Sequence, residues 1–496
     1  MFTDTTLEDI DIIMNDAWQA FHVYRKLSLK QRADFMRSIA IEIENAGDVL
    51  IEAAIKETNL TEARLRSERA RTILQLNSYA GACEKGNWVE ARIDTAVKDK
   101  TPPKPDIRKM LIPLGPVVVF GASNFPFAYS TAGGDTACAF AAGCPVIVKA
   151  HPAHAQTSQL VAEAIIRAAA NCYLPKGIFS HVFGASSAVG EALVKHPLTK
   201  AVGFTGSYAG GKQLSEWGSQ RKDPIPVFAE MGSVNPVFLL GEKMKTSAAE
   251  IAKMYAASIT LGTGQFCTKP GIIIAVDNDN LTTFINKLSE EIKGMQPSVM
   301  LHPGIYKNYV EKKATALSQA DVEPVAVAEK DAALNEGSAT IATTTATAFI
   351  NNPLLQQEVF GPYCIIVRCT DLTEMLEVAR HLQGQLTATI MATEKDIMEN
   401  ELLVEAVKNI CGRFILNNVP TGVEVCLSMH HGGPYPSTTD SRFTSVGADG
   451  IKRFARPIAF QNWPDSLLPE ELKNENSLNI WRTINNEPSN QNVSVF

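Results

Sequence analysis

Between residues 116 and 207 the chain alternates short β-branched runs (VVVF, PVIVKA, FSHVFG and AVGFTGS) with helix-forming stretches, TAGGDTACAFAAG, QTSQLVAEAIIRAAANC and AVGEALVKH. Strands that are apolar on both faces and separated by crossover helices are compatible with a parallel sheet covered by helices on both sides. Such a sheet collects the carboxyl ends of its strands along one edge, where a ligand crevice opens. A second α/β block runs from about Asn235 to Val425, with NPVFLL, GIIIAV, TAFIN, YCIIVRC, LTATIMA and RFILNN as candidate strands.

The flanks are built differently. From about residue 5 to residue 90, apolar positions recur at three- and four-residue spacing in QRADFMRSIAIEIENAGDVLIEAAIKET and TEARLRSERARTILQLNSYAGAC, the pattern of amphipathic cover helices. The proline-broken, basic VKDKTPPKPDIRKMLIPLGP suits an arm or hairpin leaving the body. Residues 316–345 are rich in Ala, Glu and Thr without a period, so no boundary is placed there. The section from about Pro436 is irregular, and its end, NEPSNQNVSVF, reads as a polar, poorly ordered tail.

A net charge of -7 offers no basic stripe for nucleic acid, and no apolar run is long enough for a bilayer. The nine cysteines are odd in number and form no CxxC, which suggests neither a disulfide framework nor a metal site. The acidic, amphipathic start TDTTLEDIDIIMNDAW is unlike a signal peptide, so a reducing, cytoplasmic setting is expected. These features favour small-molecule chemistry. Cys267 stands apart, in GTGQFCTKPG between a helical run and the strand-like IIIAV, as a nucleophile or one more buried thiol. No GxGxxG follows a strand. Instead VGFTGSYAGG leads a strand into Gly206, Ser207 and Gly211 at a helix N-terminus suited to a pyrophosphate, although such a cluster alone is more often a tight turn.

Six motifs in one order carry a resemblance: SNFP at 123–126, VIVKAHP at 146–152, FTGSYAGG at 204–211, AEMGSVNP at 229–236, GQFCT at 264–268 and EVFGP at 358–362. The chain resembles the NAD(P)-dependent aldehyde dehydrogenase superfamily to about residue 480. The resemblance implies an α/β fold with a Rossmann-like cofactor domain (residues 1–97 and 117–234) and an α/β catalytic domain (235–435). It further implies an oligomerisation arm and C-terminal segment (98–116 and 436–480), leaving a polar tail at 481–496. Cys267 would attack the aldehyde as thiolate, Asn124 and the backbone N–H of Cys267 would hold the oxyanion, and Glu230 would deprotonate Cys267 or the hydrolytic water. Lys149 would reach a cofactor ribose or phosphate. Glu358 would grip the nicotinamide ribose, with Phe360 beside it.

Two departures bear on the cofactor. Pro152 stands where many NAD-preferring members carry a glutamate, and Ser187 stands where NADP-preferring ones carry an arginine; His151 could help with a phosphate or simply be a surface residue. Use of either NAD or NADP is therefore expected. Within the family, the regions around SNFP and MHHGG are similar to the 2,5-dioxopentanoate (α-ketoglutarate semialdehyde) dehydrogenases and to bacterial NADP-dependent fatty-aldehyde dehydrogenases. Phe125, Tyr129, Phe266 and Thr268 should line the aldehyde channel and His430 or His431 face it, a mixed wall favouring a short polar aldehyde acid. Arg442 is read as packing its loop. A homodimer or homotetramer is implied by the arm. A coenzyme-A-acylating enzyme and a non-catalytic binding protein are the other readings, disfavoured by Glu230 and by the intact Cys267, Asn124 and Glu230 together.

Overall fold

Capping and periodicity agree in the N-terminal helices. Thr6, Ser28 and Thr61 each accept a backbone N–H at the start of helices Leu7–Tyr24, Leu29–Asn45 and Glu62–Lys85, and Ser28 with Gln31 closes a capping box. Their apolar stripes, including Phe35, Met36, Ile39 and Leu76, pack around helix Gly134–Ala142, whose small residues are all buried. Small side chains let that helix sit close beneath its neighbours, and Tyr24 donates to the Phe140 carbonyl at 3.0 Å.

The computed structural model describes residues 2–493. Its first sheet has the order Phe179–Val182, Val146–Lys149, Val117–Phe120, Ala201–Thr205, Val227–Glu230, all parallel. After Val117–Phe120 the chain adds two strands on one side and returns to add Ala201–Thr205 and Val227–Glu230 on the other. At that reversal the strand ends diverge, and the Ala122–Asn124 loop and the Gly206–Ser207 turn line the resulting cleft.

The second sheet has seven strands, in the order Glu323–Val327, Thr340–Thr345, Tyr363–Cys369, Ile272–Val276, Val237–Leu239, Gln385–Met391, Cys411–Leu416. Only Glu323–Val327 runs antiparallel to its neighbour. Ile272 and Ile274 pack into one core and Ile273 into another, which is why IIIAV shows no alternation. The unassigned residues 316–345 thus hold two of its strands. TAFIN is not a strand: Thr345 accepts the N–H of Ala348, and Ala346–Asn351 turns as a helix with Ala346 and Phe349 buried one turn apart.

In the third sheet the arm strand Ile107–Pro113 pairs antiparallel with Ala455–Gln461, and Arg92–Asp94 links it to Arg482–Ile484 and Glu487–Ser489. The expectation of a poorly ordered tail in NEPSNQNVSVF, residues 486–496, is corrected through residue 493. Asn485 and Asn486 both take positive φ, the backbone of a tight hairpin turn, and Asn476 and Arg482 bond the carbonyls of Ile480, Asn490 and Gln491. Polar composition suggested disorder, but here the polar side chains satisfy the backbone. Residues 494–496 of that stretch lie outside the described residues. No helix among the described residues is long and apolar enough to cross a membrane.

Candidate active site

Cys267 follows a 3₁₀ turn, Leu261–Gly264, in which Gly262, Thr263 and Gly264 all have positive φ. A Cβ on Gly264 would come 2.4 Å from the Gly361 carbonyl, so glycine there lets the GQFCT loop lie against EVFGP. Asn235 of AEMGSVNP, itself at φ 46°, donates from Nδ2 to the carbonyls of Cys267 and Lys269, both at 2.9 Å. Gln385 fixes that segment by accepting from the N–H groups of Val234 and Asn235. Three motifs far apart in sequence therefore hold one cysteine. Asn124 is buried and donates to the Gln265 carbonyl at 3.0 Å, beside the nucleophile loop.

Glu230 ends strand Val227–Glu230 and is 4% exposed. Its carboxylate lies 2.8 Å from Nε2 of His431, which is 1% exposed, and accepts from the Ser445 hydroxyl. The same Nε2 is 3.6 Å from Cys267 Sγ. His431 is itself anchored, its N–H on Thr444 Oγ1 at 2.8 Å and its carbonyl on the Ser445 N–H. Burial alone would raise the Glu230 carboxyl, but His431, Ser445 and Arg453 together hold it below the usual carboxylate range. These neighbours favour the ionised form, where a glutamate poised near neutrality was expected, and His431 Nε2 contacts both the carboxylate and the sulfur. Burial, then the charges of Glu230 and Glu358, push the Cys267 thiol well above its ordinary value, so the sulfur needs a proton acceptor to become nucleophilic. Five of the other cysteines, Cys83, Cys138, Cys144, Cys364 and Cys369, are fully buried, whereas Cys267 opens onto a cleft.

That cleft, about 460 Å³, brings together Asn124, Gly206, Ser207, Glu230, Cys267, Glu358 and Phe360. Ser207 accepts the Gly210 N–H as N-cap of helix Tyr208–Ser219, whose N-terminus opens at the cleft. Burial pushes the Glu358 carboxyl up to about 6, opposed by the charges of Lys269 and Lys312. Gly232 makes room for it, since a Cβ there would lie 2.3 Å from Glu358 Oε2. Gly211 does not line the cleft: its missing side chain lets the helix close onto Met231, with a Cβ 2.6 Å from that thioether.

Lys149 ends its strand half-buried, and desolvation lowers its hold on the proton. His151 stacks on His154 at 5.4 Å and accepts the Ala153 N–H; burial takes it well below its usual value, so it is neutral rather than a phosphate-binding cation. Pro152 is exposed and starts a 3₁₀ turn, and Ser187 opens helix Ser187–Lys195 on the surface. Beside Ser187 sequence reasoning missed Asp4, which accepts from the Ala185 N–H at 2.8 Å and the Ser186 hydroxyl at 3.0 Å.

Away from the cleft, Phe266, Phe125 and Tyr129 form a continuous wall, with centroids 5.5 Å and 5.2 Å apart, and Tyr129 reaches His431 at 6.1 Å. Thr268 is buried beneath the cysteine loop, and His430 packs back over Gly432. Arg442 is exposed and bonded to Asp440, as a loop residue. Sequence reasoning also missed Arg64 and Arg71, which ride on these rings from helix Glu62–Lys85. The signal was present: Arg64, Glu68, Arg71 and Gln75 share one face, polar where a plain cover helix would be apolar.

A doubly wound sheet whose switch-point cleft ends on a loop-held cysteine is the frame of an aldehyde dehydrogenase. The chain belongs to the aldehyde dehydrogenase family, whose sequence pattern matches residues 1–457. It is 42% identical over 487 residues to the alpha-ketoglutaric semialdehyde dehydrogenase of Acinetobacter baylyi (strain ATCC 33305 / BD413 / ADP1), covering 98% of this chain and 92% of that protein. It is 44% identical over 475 residues to alpha-ketoglutaric semialdehyde dehydrogenase 2 of Azospirillum brasilense, covering 96% and 90%. The crystal structure of an NAD-dependent aldehyde dehydrogenase from Sinorhizobium meliloti shares the fold, with a TM-score of 0.77 at 19% identity over 93% of this chain and 88% of that one.

Proposed function

We propose that the chain oxidises 2,5-dioxopentanoate (α-ketoglutarate semialdehyde) to 2-oxoglutarate with a nicotinamide dinucleotide. The observation that carries the chemistry is the cluster of Cys267 Sγ, His431 Nε2 and Glu230 Oε1, with the imidazole nitrogen 3.6 Å from the sulfur and 2.8 Å from the carboxylate. The substrate is supported by the two relatives above 40% identity, which span nearly the whole chain.

His431 Nε2–H donates to Glu230; as that proton passes to the carboxylate, the freed Nε2 takes the proton of the Cys267 thiol, leaving Glu230 protonated and His431 neutral. The thiolate then adds to the aldehyde carbon. Asn124 Nδ2, whose second hydrogen is not used by Gln265, donates to the new oxyanion together with the Cys267 N–H. The residues of the cleft fit a dinucleotide: the Ser207-capped helix N-terminus suits its pyrophosphate and the enclosed Glu358 its ribose hydroxyls, while Lys149, outside the cleft lining, ends the strand beside Val117–Phe120. When bound there, the nicotinamide supplies the hydride acceptor. What remains on the chain is a thioester at Cys267, and once Glu230 has released the thiol's proton to solvent it can deprotonate, through His431, the water that cleaves it. NAD and NADP both remain acceptable, because Pro152 offers no carboxylate to a 2′-hydroxyl and Asp4 already occupies the donors of Ala185 and Ser186.

A homodimer or homotetramer is supported by the open edges of the third sheet and by the exposed Trp463, Leu467 and Trp481 around it. A cytoplasmic setting is supported by nine cysteines that are all unpaired. Incubation with 2,5-dioxopentanoate and either cofactor, without coenzyme A, should release 2-oxoglutarate. Formation of product only after coenzyme A is added, or a large preference for hexanal, would overturn the assignment.

A further inference from the structure

We propose that Arg71 and Arg413, with Arg64 beside them, form a carboxylate-binding subsite on the aldehyde channel, which selects aldehydes carrying a distal carboxylate. The inference rests on the reading of Cys267 as the aldehyde-oxidising centre and identifies what holds the far end of its substrate.

Arg64 and Arg71, two turns apart on helix Glu62–Lys85, converge with Arg413 from the distant strand Cys411–Leu416. Arg71 Nη2 donates to the Val423 carbonyl at 3.2 Å and Arg413 Nη1 to the adjacent Gly422 carbonyl at 2.8 Å. Val423 in turn packs with Tyr129 and Phe125. The Arg71 guanidinium lies 5.2 Å from the Tyr129 ring centroid and reaches its hydroxyl at 3.3 Å, while Arg64 sits 4.9 Å and 4.7 Å from the rings of Phe125 and Phe266. Through Tyr129 and His431 this cationic edge is joined by direct contacts to Cys267.

Among the described residues no carboxylate is hydrogen-bonded to it. Every hydrogen bond these side chains make goes to a neutral group: the carbonyls of Asn124, Val423, Gly422 and Pro420, the Gln75 amide and the Tyr129 hydroxyl. The acid nearest in sequence, Glu68, accepts the N–H groups of Phe127 and Ala128 through Oε1, at 2.9 Å and 3.1 Å, and acts on Arg64 and Arg71 through its charge without a hydrogen bond to either. Elsewhere arginines are matched to acids, as Arg66 is to Asp48 and Glu62 and the buried Arg453 to Asp135. Arg64 Nη1 and Arg413 Nε are buried with no partner at all, and burial makes both guanidinium groups poorer at keeping their charge. Unsatisfied buried donors on cations are costly unless an anion arrives, and a carboxylate fits the guanidinium fork in a way that an alkyl chain cannot. An aldehyde acid with its carbonyl at Cys267 and its carboxylate on Arg71 and Arg413 would have its chain along Tyr129. A fatty aldehyde would instead lay methylenes over desolvated charge.

The test compares 2,5-dioxopentanoate with pentanal, which has the same chain length and no charge, in wild type, Arg71→Met, Arg413→Met and Arg71→Lys. The ratio of kcat/KM for the acid over that for pentanal should fall on the order of 100-fold in each Met variant, through KM, and by about tenfold in the Lys variant, which keeps the charge but loses the fork. Glutarate, an unreactive dicarboxylate, should raise the melting temperature of wild type and not of Arg71→Met. An unchanged ratio, with both substrates falling together, would assign the arginines to bracing residues 420–423 and overturn the subsite. A wild type that turns over pentanal but favours it over the acid would instead overturn the substrate assignment, leaving the aldehyde-oxidising centre intact.

Discussion

The cleft and the channel meet at Cys267 but are built by opposite means. On the cleft side, short motifs end strands or make turns: Gly206 and Ser207 at one strand end, Lys149 at another, and Glu358 in a loop that Gly264 and Gly232 allow to come close. On the channel side, the wall comes from one face of an N-terminal helix, a loop around Phe125 and a sheet strand bearing Arg413, brought together only by the tertiary fold. In the proposed reading the cleft serves the cofactor chemistry, whereas the channel selects the aldehyde. Changes on the two sides should therefore separate in their kinetic signatures, and changes at the junction should not.

The junction should give the largest effects. Cys267→Ser is expected to lower kcat by about four orders of magnitude with either cofactor, because a neutral hydroxyl in that setting is a poor nucleophile. Residual turnover within tenfold of wild type would remove the covalent step. His431→Phe, which keeps a ring against Tyr129, should lower kcat some 100- to 1000-fold with little change in cofactor KM. A loss confined to aldehyde KM would return His431 to the channel wall and break the junction.

On the cleft side the effects are smaller and depend on pH. In its proposed role Glu358 would hold ribose hydroxyls best as a carboxylate, and burial pushes that carboxyl up to about 6. Protonation below that value removes the charge, so cofactor affinity measured by fluorescence titration should weaken as pH falls through about 6. It should weaken roughly tenfold per unit once the carboxyl is mostly protonated. Glu358→Gln should show the weaker binding, about tenfold, and lose that pH dependence. An unchanged pH dependence in the variant would place the titrating group elsewhere.

How much was legible in the sequence follows the same division. The parallel sheet and the motif residues could be read because strand ends, glycine turns and an N-cap leave their chemistry in consecutive residues. Asn124, Glu230, Cys267, Glu358 and Phe360 come to one cleft as the motif order implied. TAFIN was misread because its β-favouring residues follow a threonine that caps a helix, and the C-terminal hairpin because its order comes from asparagine turns and side-chain-to-backbone bonds rather than apolar burial. The low carboxyl of Glu230 could not be read at all, since it depends on His431 and Ser445, more than two hundred residues away and carried on an irregular loop. The arginine wall left only the polar face of one helix as its trace.

The central claim is that His431 carries the proton between Cys267 and Glu230. The most direct test is the pH dependence of iodoacetamide alkylation at Cys267, followed by mass spectrometry of its peptide in wild type and His431→Phe. If the imidazole accepts the thiol proton, wild-type Cys267 should be alkylated at lower pH than its burial alone permits, and the variant's profile should shift upward by a unit or more, to the order of the thiol's desolvated value. Superimposable profiles would contradict the claim and leave Cys267 to be activated without His431.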